Sequence, residues 1–400
     1  MHKRIVITGM GAVTPIGIGV NTYWKSLLAK DCGIAPITRI NTAHLPVKRG
    51  AEVKAFDAPA LLPPKLVTDL DLFMQYAYVA AEEAIAECNA DFDPCRTGIV
   101  MGTAVNGLGF TGQTQEEYVL EGKPISPRFL TKTLGNIAAA QLSIHHSLKG
   151  PCYTVSTACS SGGDAVSLAA MLLETGAADA MVVMAGEASL CPLMICSLAK
   201  AGALSKKGES RPFDKNRDGF VIGEGGGSLI LETEDSARKR GAVILAELLG
   251  YANNTDGYHP VAPQPQGLGA AACMEAALIK AGLKPGDIGY INAHGTATVR
   301  GDAAETKAIK RVFGDLSVPV SSTKGATGHM MAGGGITELI ACVKAMETGF
   351  LPPTIPCEEK DEDCDLNLVT EATAAEVEIT MSNAFGFGGQ NSSVILGKYK

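Results

Sequence analysis

Residues 153–166 read YTVSTACSSGGDAV, which sets a cysteine, Cys159, between an apolar strand and a glycine-opened helix. At such an elbow the side chain projects from a sharp bend. The unpaired amides of the helix start then favour the thiolate, the form of cysteine that attacks a carbonyl. Ala158, Ser160, Ser161, Gly162 and Gly163 are small enough for the bend to close and leave room for a reacting carbonyl. A buried cysteine is also a small hydrophobe that packs inertly, so the setting and not the residue type carries the reading. Two of the seven histidines stand in glycine-rich turns after strands: His294 in NAHGTAT and His329 in KGATGHMMAGGG. Taken singly, each reads equally as a solvated or capping residue. With Cys159 they share one kind of place, the exit of a strand in an α/β layer, where binding and catalytic groups gather. His2, His44, His145, His146 and His259 lack that setting and read as structural or surface residues. A fourth stretch, SNAFGFGGQNSS at 382–393, holds Gly386, Gly388 and Gly389, which permit positive φ or close backbone approach. A plain hairpin turn explains the glycines. It has little use for Phe385 and Phe387, which suit a movable apolar gate beside a pocket.

The elements that must position these residues follow from periodicity. Tyr153, Val155 and Thr157 alternate as a strand does, whereas Ala165, Val166, Leu168, Ala169, Leu172 and Leu173 recur with helical spacing. Along the chain, strands are expected at 4–9, 98–104, 153–157, 179–187, 226–232, 242–251, 288–293, 317–322, 379–383 and 392–397. Helices are expected near 21–29, 69–88, 136–147, 160–175, 267–282, 302–313 and 333–348. Such alternation implies stacked α/β layers. The elbow also occurs twice. VSTACSSGGDAVSLAAMLLETG and VSSTKGATGHMMAGGGITELIACVKAMETG share the order strand, reactive residue, glycines, apolar helix and ETG, with His329 near the cysteine's place. Chance likeness of two glycine-rich helices is the alternative to an internal duplication. A pseudosymmetric chain is expected, divided near residue 240 into a half 1–240 with the nucleophile and a half 241–400 with both histidines. The helices 160–175 and 333–348 are apolar nearly all round, as helices held between two sheets must be.

The chain has 400 residues, 46% hydrophobic and 19% charged, which excludes a disordered or fibrous protein. Eleven cysteines at irregular spacings, with no CxxC pair and no histidine-rich cluster, point to reduced thiols in the cytoplasm and to no metal. MHKRIVITGMG enters a strand directly, so no leader is expected. Glu338 and Lys344 interrupt the helix after Gly335, so no membrane span is expected. A net charge of −8 disfavours nucleic-acid binding.

TACSSGGDA, NAHGTATVRGDAAE, STKGATGH and SNAFGFGGQN resemble, in that order, the four signatures of the β-ketoacyl-[acyl-carrier-protein] synthases. KRIVITGMGAVTPIG and SRPFDKNRDGFVIGEGGGSLILE look like the elongating type II branch of that family. The resemblance spans essentially the whole chain. It implies the thiolase fold, a duplicated five-layered αβαβα arrangement, and a homodimer or a heterodimer with a chain-length partner. It implies an acyltransferase that condenses an acyl-enzyme with malonyl-acyl carrier protein, the carrier bearing phosphopantetheine, in fatty acid elongation. No cofactor is implied. Carried over by motif, the resemblance implies that Cys159 takes the acyl chain, that His294 and His329 hydrogen-bond the malonyl thioester, and that the amides of Cys159 and Phe387 hold the tetrahedral oxyanion. Lys324 matches the lysine that orders this site, and Glu338 is its expected charge partner, because a carboxylate on so apolar a helix needs one. Thr296 and Thr298 match positions that hold the pantetheine arm. Val105 corresponds to the far end of the acyl channel, and Leu198, with Met194 and Ile195, to the acyl pocket, where the housekeeping enzymes tend to have glycines and a phenylalanine.

Three competing roles do not fit the residues. A degradative thiolase needs a second cysteine near the C-terminal glycine turn, which SNAFGFGG lacks. The acetyl-CoA-primed synthases pair one histidine with an asparagine, where this chain has two histidines. A non-condensing chain-length subunit lacks the nucleophile, which is intact here as Cys159. The catalytic ketosynthase subunit of a dedicated type II polyketide or polyene pathway shares every motif. The carrier-docking segment KLVTDLDLF departs from the family in following Lys65 with Asp69 and Asp71.

Overall fold

Every residue of the strand Ile5–Thr14 is buried, and so is every residue of Thr97–Gly102, Ala180–Glu187 and Gly225–Thr233. Strands without a wet face must be covered on both sides, which dictates layers above and below them. The computed structural model describes residues 3–89 and 91–400; His2 lies outside them. The main strands are β1 (Ile5–Thr14), β2 (Thr97–Gly102), β3 (Cys152–Val155), β4 (Ala180–Glu187), β5 (Gly225–Thr233), β6 (Ala246–Thr255), β7 (Tyr290–Asn292), β8 (Val320–Ser321), β9 (Ile379–Gly386) and β10 (Gln390–Gly397).

Their order is β3-β2-β4-β5-β1 and then β8-β7-β9-β10-β6. Counted within each set of five, both read third, second, fourth, fifth, first. The directions match too: β2 is parallel to β3 and β4, and β7 to β8 and β9, while β5 and β10 run antiparallel to both of their neighbours. The two sets join where β1 meets β6, with Ile5 opposite Leu248 and Ile7 opposite Ala246.

Helix α1 (Leu72–Cys88) covers the outer side of the first set; after α2 (Leu108–Glu121), α3 (Ser161–Glu174) packs on its inner side. Helix α4 (Leu268–Ala281) and its neighbour α5 (Val299–Phe313) cover the outer side of the second set, and α6 (Ala332–Thr348) packs beside α3 between the sheets. This is the five-layered thiolase arrangement. Residues Ala332–Met346 of α6 are all buried, whereas α3 leaves Met171 exposed. The helices touch backbone to backbone at their glycines. A Cβ on Gly162 would stand 2.4 Å from the Ala332 carbonyl oxygen, and one on Gly335 would stand 3.0 Å from the Gly163 nitrogen.

Some boundaries differ from the expected ones. The strand expected at 242–251 starts at Ala246, because helix Glu234–Lys239 closes through Gly241 at φ 72° and the Ala242 amide bonds the Ala237 carbonyl. Helix α2 was not expected at all: none of its residues is buried, so it has no apolar stripe for periodicity to reveal.

Candidate active site

Between β3 and α3, a single 3₁₀ turn at Ala158–Ser160 carries Cys159. Ala158 takes φ 51°, a left-handed conformation that costs a non-glycine residue roughly 1 kcal/mol. Side chains hold the bend against that cost. Ser161 Oγ donates to the Ala158 carbonyl at 2.6 Å and accepts from the Thr157 amide at 2.9 Å. Asp164 accepts from Thr157 Oγ1 and Ser160 Oγ, and also from Asn253 on β6, so the elbow is tied to the second set of strands.

The histidine turns bring the His329 ring to the sulfur and the His294 ring against His329. His329 Nε2 stands 3.0 Å from Cys159 Sγ. The His329 main chain is clamped, its amide donating to Val221 and its carbonyl accepting from Gly223. Its ring stands edge-on to Phe220 at 5.2 Å and to His294 at 5.3 Å. The Met331 amide faces His329 Nδ1 at 3.4 Å, which makes Nε2 the protonated nitrogen and aims an N–H at the sulfur. His294 packs on Phe385 at 5.8 Å, and its buried Nδ1 has no hydrogen-bond partner among the described residues.

Lys324 and Glu338 form a buried ion pair directly behind the rings. Burial, helped by the Lys324 cation, lowers both histidines well below the ordinary imidazole value of 6.5, so both rings are neutral at physiological pH. The thiol behaves differently from the sequence expectation of a stabilised thiolate. Burial pushes Cys159 up to about 12, against the opposing effects of Lys324 and of the Phe387 and Cys159 amides. The closed site therefore holds a thiol, surrounded by groups that favour the anion once it forms.

Cys159, His294, His329, Thr296, Thr298, Phe385, Phe387, Val105 and Leu198 all line one cavity of about 510 Å³. Met194 lines it with Leu198, while Ile195 lies in the core behind them. The glycine stretch is a hairpin after all: Gly386 pairs with Gln390, and Phe387-Gly388-Gly389 form the turn. That turn sits on the nucleophile. A Cβ on Gly386 would stand 2.8 Å from the Thr157 carbonyl and 3.1 Å from the Cys159 amide nitrogen. Gly388 takes φ 85°, and Phe387 is partly exposed. Thr298 Oγ1 accepts from the Gly301 amide as the N-cap of α5 and lies 3.0 Å from Thr296 Oγ1.

Three buried carboxylates support these loops and were not singled out in the sequence. Glu305 accepts the His294 and Gly295 amides, both at 2.7 Å, and Asp302 accepts those of Thr296 and Phe213. Glu187 accepts the Ala104 amide at 2.7 Å and so fixes the turn that carries Val105. The signal for the first two was present in GTATVRGDAAE, acidic residues in the first turns of a helix that follows a histidine loop. Of the remaining histidines, His146 pairs with Glu82 and His145 with Tyr78, and His259 accepts the Val261 and Ala262 amides at the cavity mouth. His44 is exposed.

Residues 2–237 match the family described as "Beta-ketoacyl synthase, N-terminal domain", and residues 245–358 match "Beta-ketoacyl synthase, C-terminal domain". The chain is 41% identical to the 3-oxoacyl-[acyl-carrier-protein] synthase 2 of Synechocystis sp., over 100% of this chain and 99% of that one. It is 38% identical to the protein of the same name from Coxiella burnetii, over 99% of each. Among solved structures, the ishigamide ketosynthase/chain length factor superposes with a TM-score of 0.95 at 33% identity, covering 100% of both chains. A type II polyketide synthase acyl-carrier protein in complex with its ketosynthase bound to the hexaketide gives 0.90 at 30%, again over 100% of both.

Proposed function

The chain belongs to the β-ketoacyl synthase family, and we propose from that premise that it condenses an acyl-enzyme thioester on Cys159 with malonyl-acyl carrier protein in fatty acid elongation. One observation carries the reading: His329 Nε2 lies 3.0 Å from Cys159 Sγ, with His294 in edge contact, inside a single cavity. In the first half-reaction the Cys159 sulfur attacks the acyl carrier thioester, and the thiol proton leaves with the departing pantetheine sulfur. In the second, malonyl carrier loses carbon dioxide, and the enolate oxygen that forms is held by N–H groups of His294 and His329. Neutral imidazoles suit this because they donate hydrogen bonds without surrendering a proton. The α-carbon then attacks the Cys159 thioester. The tetrahedral oxyanion rests between the Cys159 and Phe387 amides, the two that lie against the sulfur. Its collapse frees the cysteine and releases a β-ketoacyl carrier two carbons longer. Thr296 and Thr298 hold the pantetheine arm, Val105 and Leu198 bound the acyl chain, and Phe385 and Phe387 gate it. Lys324 is a positioning residue, held in turn by Glu338.

The two matching sets of strands are the units of a duplication divided near residue 240. No helix among the described residues is long and apolar enough to cross a membrane, and the enzyme works in the cytoplasm with no metal or organic cofactor. It acts as a dimer. Strand β3 ends its sheet with Cys152, Tyr153 and Thr154 exposed, and Leu120, Leu130 and Ile144 expose apolar side chains on the helices of the same half. An open apolar edge of this kind is normally paired. A homodimer and a heterodimer with a chain-length partner both satisfy it.

The likeness to polyketide ketosynthases, together with Met194 and Leu198 in the acyl pocket, favours a second reading: the catalytic subunit of a type II polyketide or polyene pathway. Incubation with malonyl carrier and a panel of saturated acyl carriers separates the two. Single-round β-ketoacyl products support elongation. Accumulation of poly-β-keto chains, without reduction between rounds, supports the second reading.

A further inference from the structure

The catalytic cavity opens beyond Thr298 onto Val299 and Arg300, two exposed residues of the first turn of α5. Apart from Cys159 and the two imidazoles, the ionisable residues at its wall are Asp218, Asp256, Asp302, Glu305 and Arg300, so Arg300 is its one permanent cation among the described residues. Each of the four carboxylates is engaged. Asp302 and Glu305 accept loop amides, Asp256 accepts the Gln264 amide and Asn391, and Asp218 accepts Ser205 and the Lys206 amide. Arg300, by contrast, has no hydrogen-bond, ion-pair or ring partner among the described residues. A guanidinium left unpaired at the rim of a mostly apolar cavity, whose carboxylates are already engaged, is a place for an anionic ligand group.

We infer that Arg300 binds the phosphodiester of the carrier's phosphopantetheine arm and so sets the depth to which the arm enters; this rests on the condensing function proposed above. The arm has a thioester at one end and a phosphate at the other. With the thioester carbon at Cys159 and the middle of the arm against Thr296 and Thr298, the phosphate emerges at the same mouth, where Arg300 follows Thr298 by two residues. A planar guanidinium pairs with two phosphate oxygens at once, and it can fork a carboxylate in the same way, so the donors of the test are chosen to tell the two apart. Arg300 touches no reacting atom and is a positioning residue. Because it is exposed, its effect is screened by salt.

The test compares acyl transfer to Cys159 from three donors, namely the acyl carrier, the free acyl-phosphopantetheine thioester and the acyl-pantetheine thioester that lacks phosphate. Wild type is expected to favour the phosphorylated small donor over the unphosphorylated one by about tenfold in kcat/KM at low salt, mostly through KM. Arg300→Ala should abolish that preference while leaving the unphosphorylated donor unchanged, and Arg300→Lys should restore part of it. An equal loss on both small donors, or an undiminished preference in Arg300→Ala, would overturn the assignment. So would a loss confined to the full carrier, which would give Arg300 a carrier carboxylate instead. A wild-type protein acylated by none of the three would overturn the condensing function itself.

Discussion

His329 and Cys159 lie 170 residues apart in sequence, yet the imidazole Nε2 meets the thiol at 3.0 Å. The contact exists because two elbows of the same build, one from each set of strands, bring their helices together at Gly162 and Gly335. A side chain at either glycine would drive α3 and α6 apart and separate the nucleophile from its partner.

The histidines and the cysteine belong to different half-reactions, so their variants should fail differently. His294→Ala and His329→Ala should still acquire an acyl group on Cys159 but lose malonyl decarboxylation by about two to three orders of magnitude, the usual cost of one oxyanion donor. Carbon dioxide release from malonyl carrier measures this. Full decarboxylation by either variant would remove that ring from the site.

Acid should destabilise the protein through the same two rings. Each imidazole is lowered well below 6.5 by burial, so the unfolded chain binds protons that the folded one refuses. Their contribution to stability is present above about pH 6.5 and lost as pH falls below it. Buried Glu187 and Glu305, pushed up to about 8 and about 7, act in the opposite direction over the same range. The histidine effect is therefore read as the difference in urea midpoint between wild type and His294→Asn, with wild type losing more as pH falls from 8 to 5. A wild-type slope kept by the variant would mean that other groups carry the acid sensitivity.

Lys324 and Glu338 test whether a buried pair serves the fold or the chemistry. Lys324→Met leaves the Glu338 carboxylate uncompensated and should cost about 3–5 kcal/mol. Adding Glu338→Leu should recover most of the stability without recovering condensation. Denaturant midpoints and turnover, measured on the same samples, give the answer. Recovery of both would reduce the pair to a structural role.

The sequence showed these residues clearly where chemistry and backbone demands coincide. Cys159, His294, His329 and the Gly386 turn each combine a reactive or apolar side chain with glycines that the close approach requires. Lys324 was legible through the resemblance, and Glu338 as its partner because a carboxylate on so apolar a helix needs one. Glu187 was not legible, because its partner is a main-chain amide, which leaves no mark on residue type. Glu305 and Asp302 also bind main-chain amides, and their one signal was their place in the first turns of a helix that follows a histidine loop. Helix α2 escaped for the converse reason, because this chain buries no face of it.

Val105 should set the depth of the acyl channel. It lines the cavity from a turn whose Ala104 amide is fixed by Glu187. Val105→Phe should therefore shorten the longest chain accepted while sparing acylation by short donors. Each excluded methylene is worth about 0.8 kcal/mol. The acyl-length profile of products checks this, and an unchanged profile would place the channel elsewhere. Gly388→Val, at φ 85°, should instead slow every donor, because it stiffens the turn that carries Phe387.

The most direct measurement of the central claim is intact-mass analysis with peptide mapping after incubation with an acyl carrier. Four other cysteines, Cys32, Cys95, Cys152 and Cys196, are exposed, so mapping and not simple thiol labelling is required. One acyl group per chain is expected, on Cys159, discharged as a β-ketoacyl carrier when malonyl carrier is added, with no adduct or condensation in Cys159→Ala. An acyl group mapped to another cysteine, or elongation that persists in Cys159→Ala, would contradict that claim.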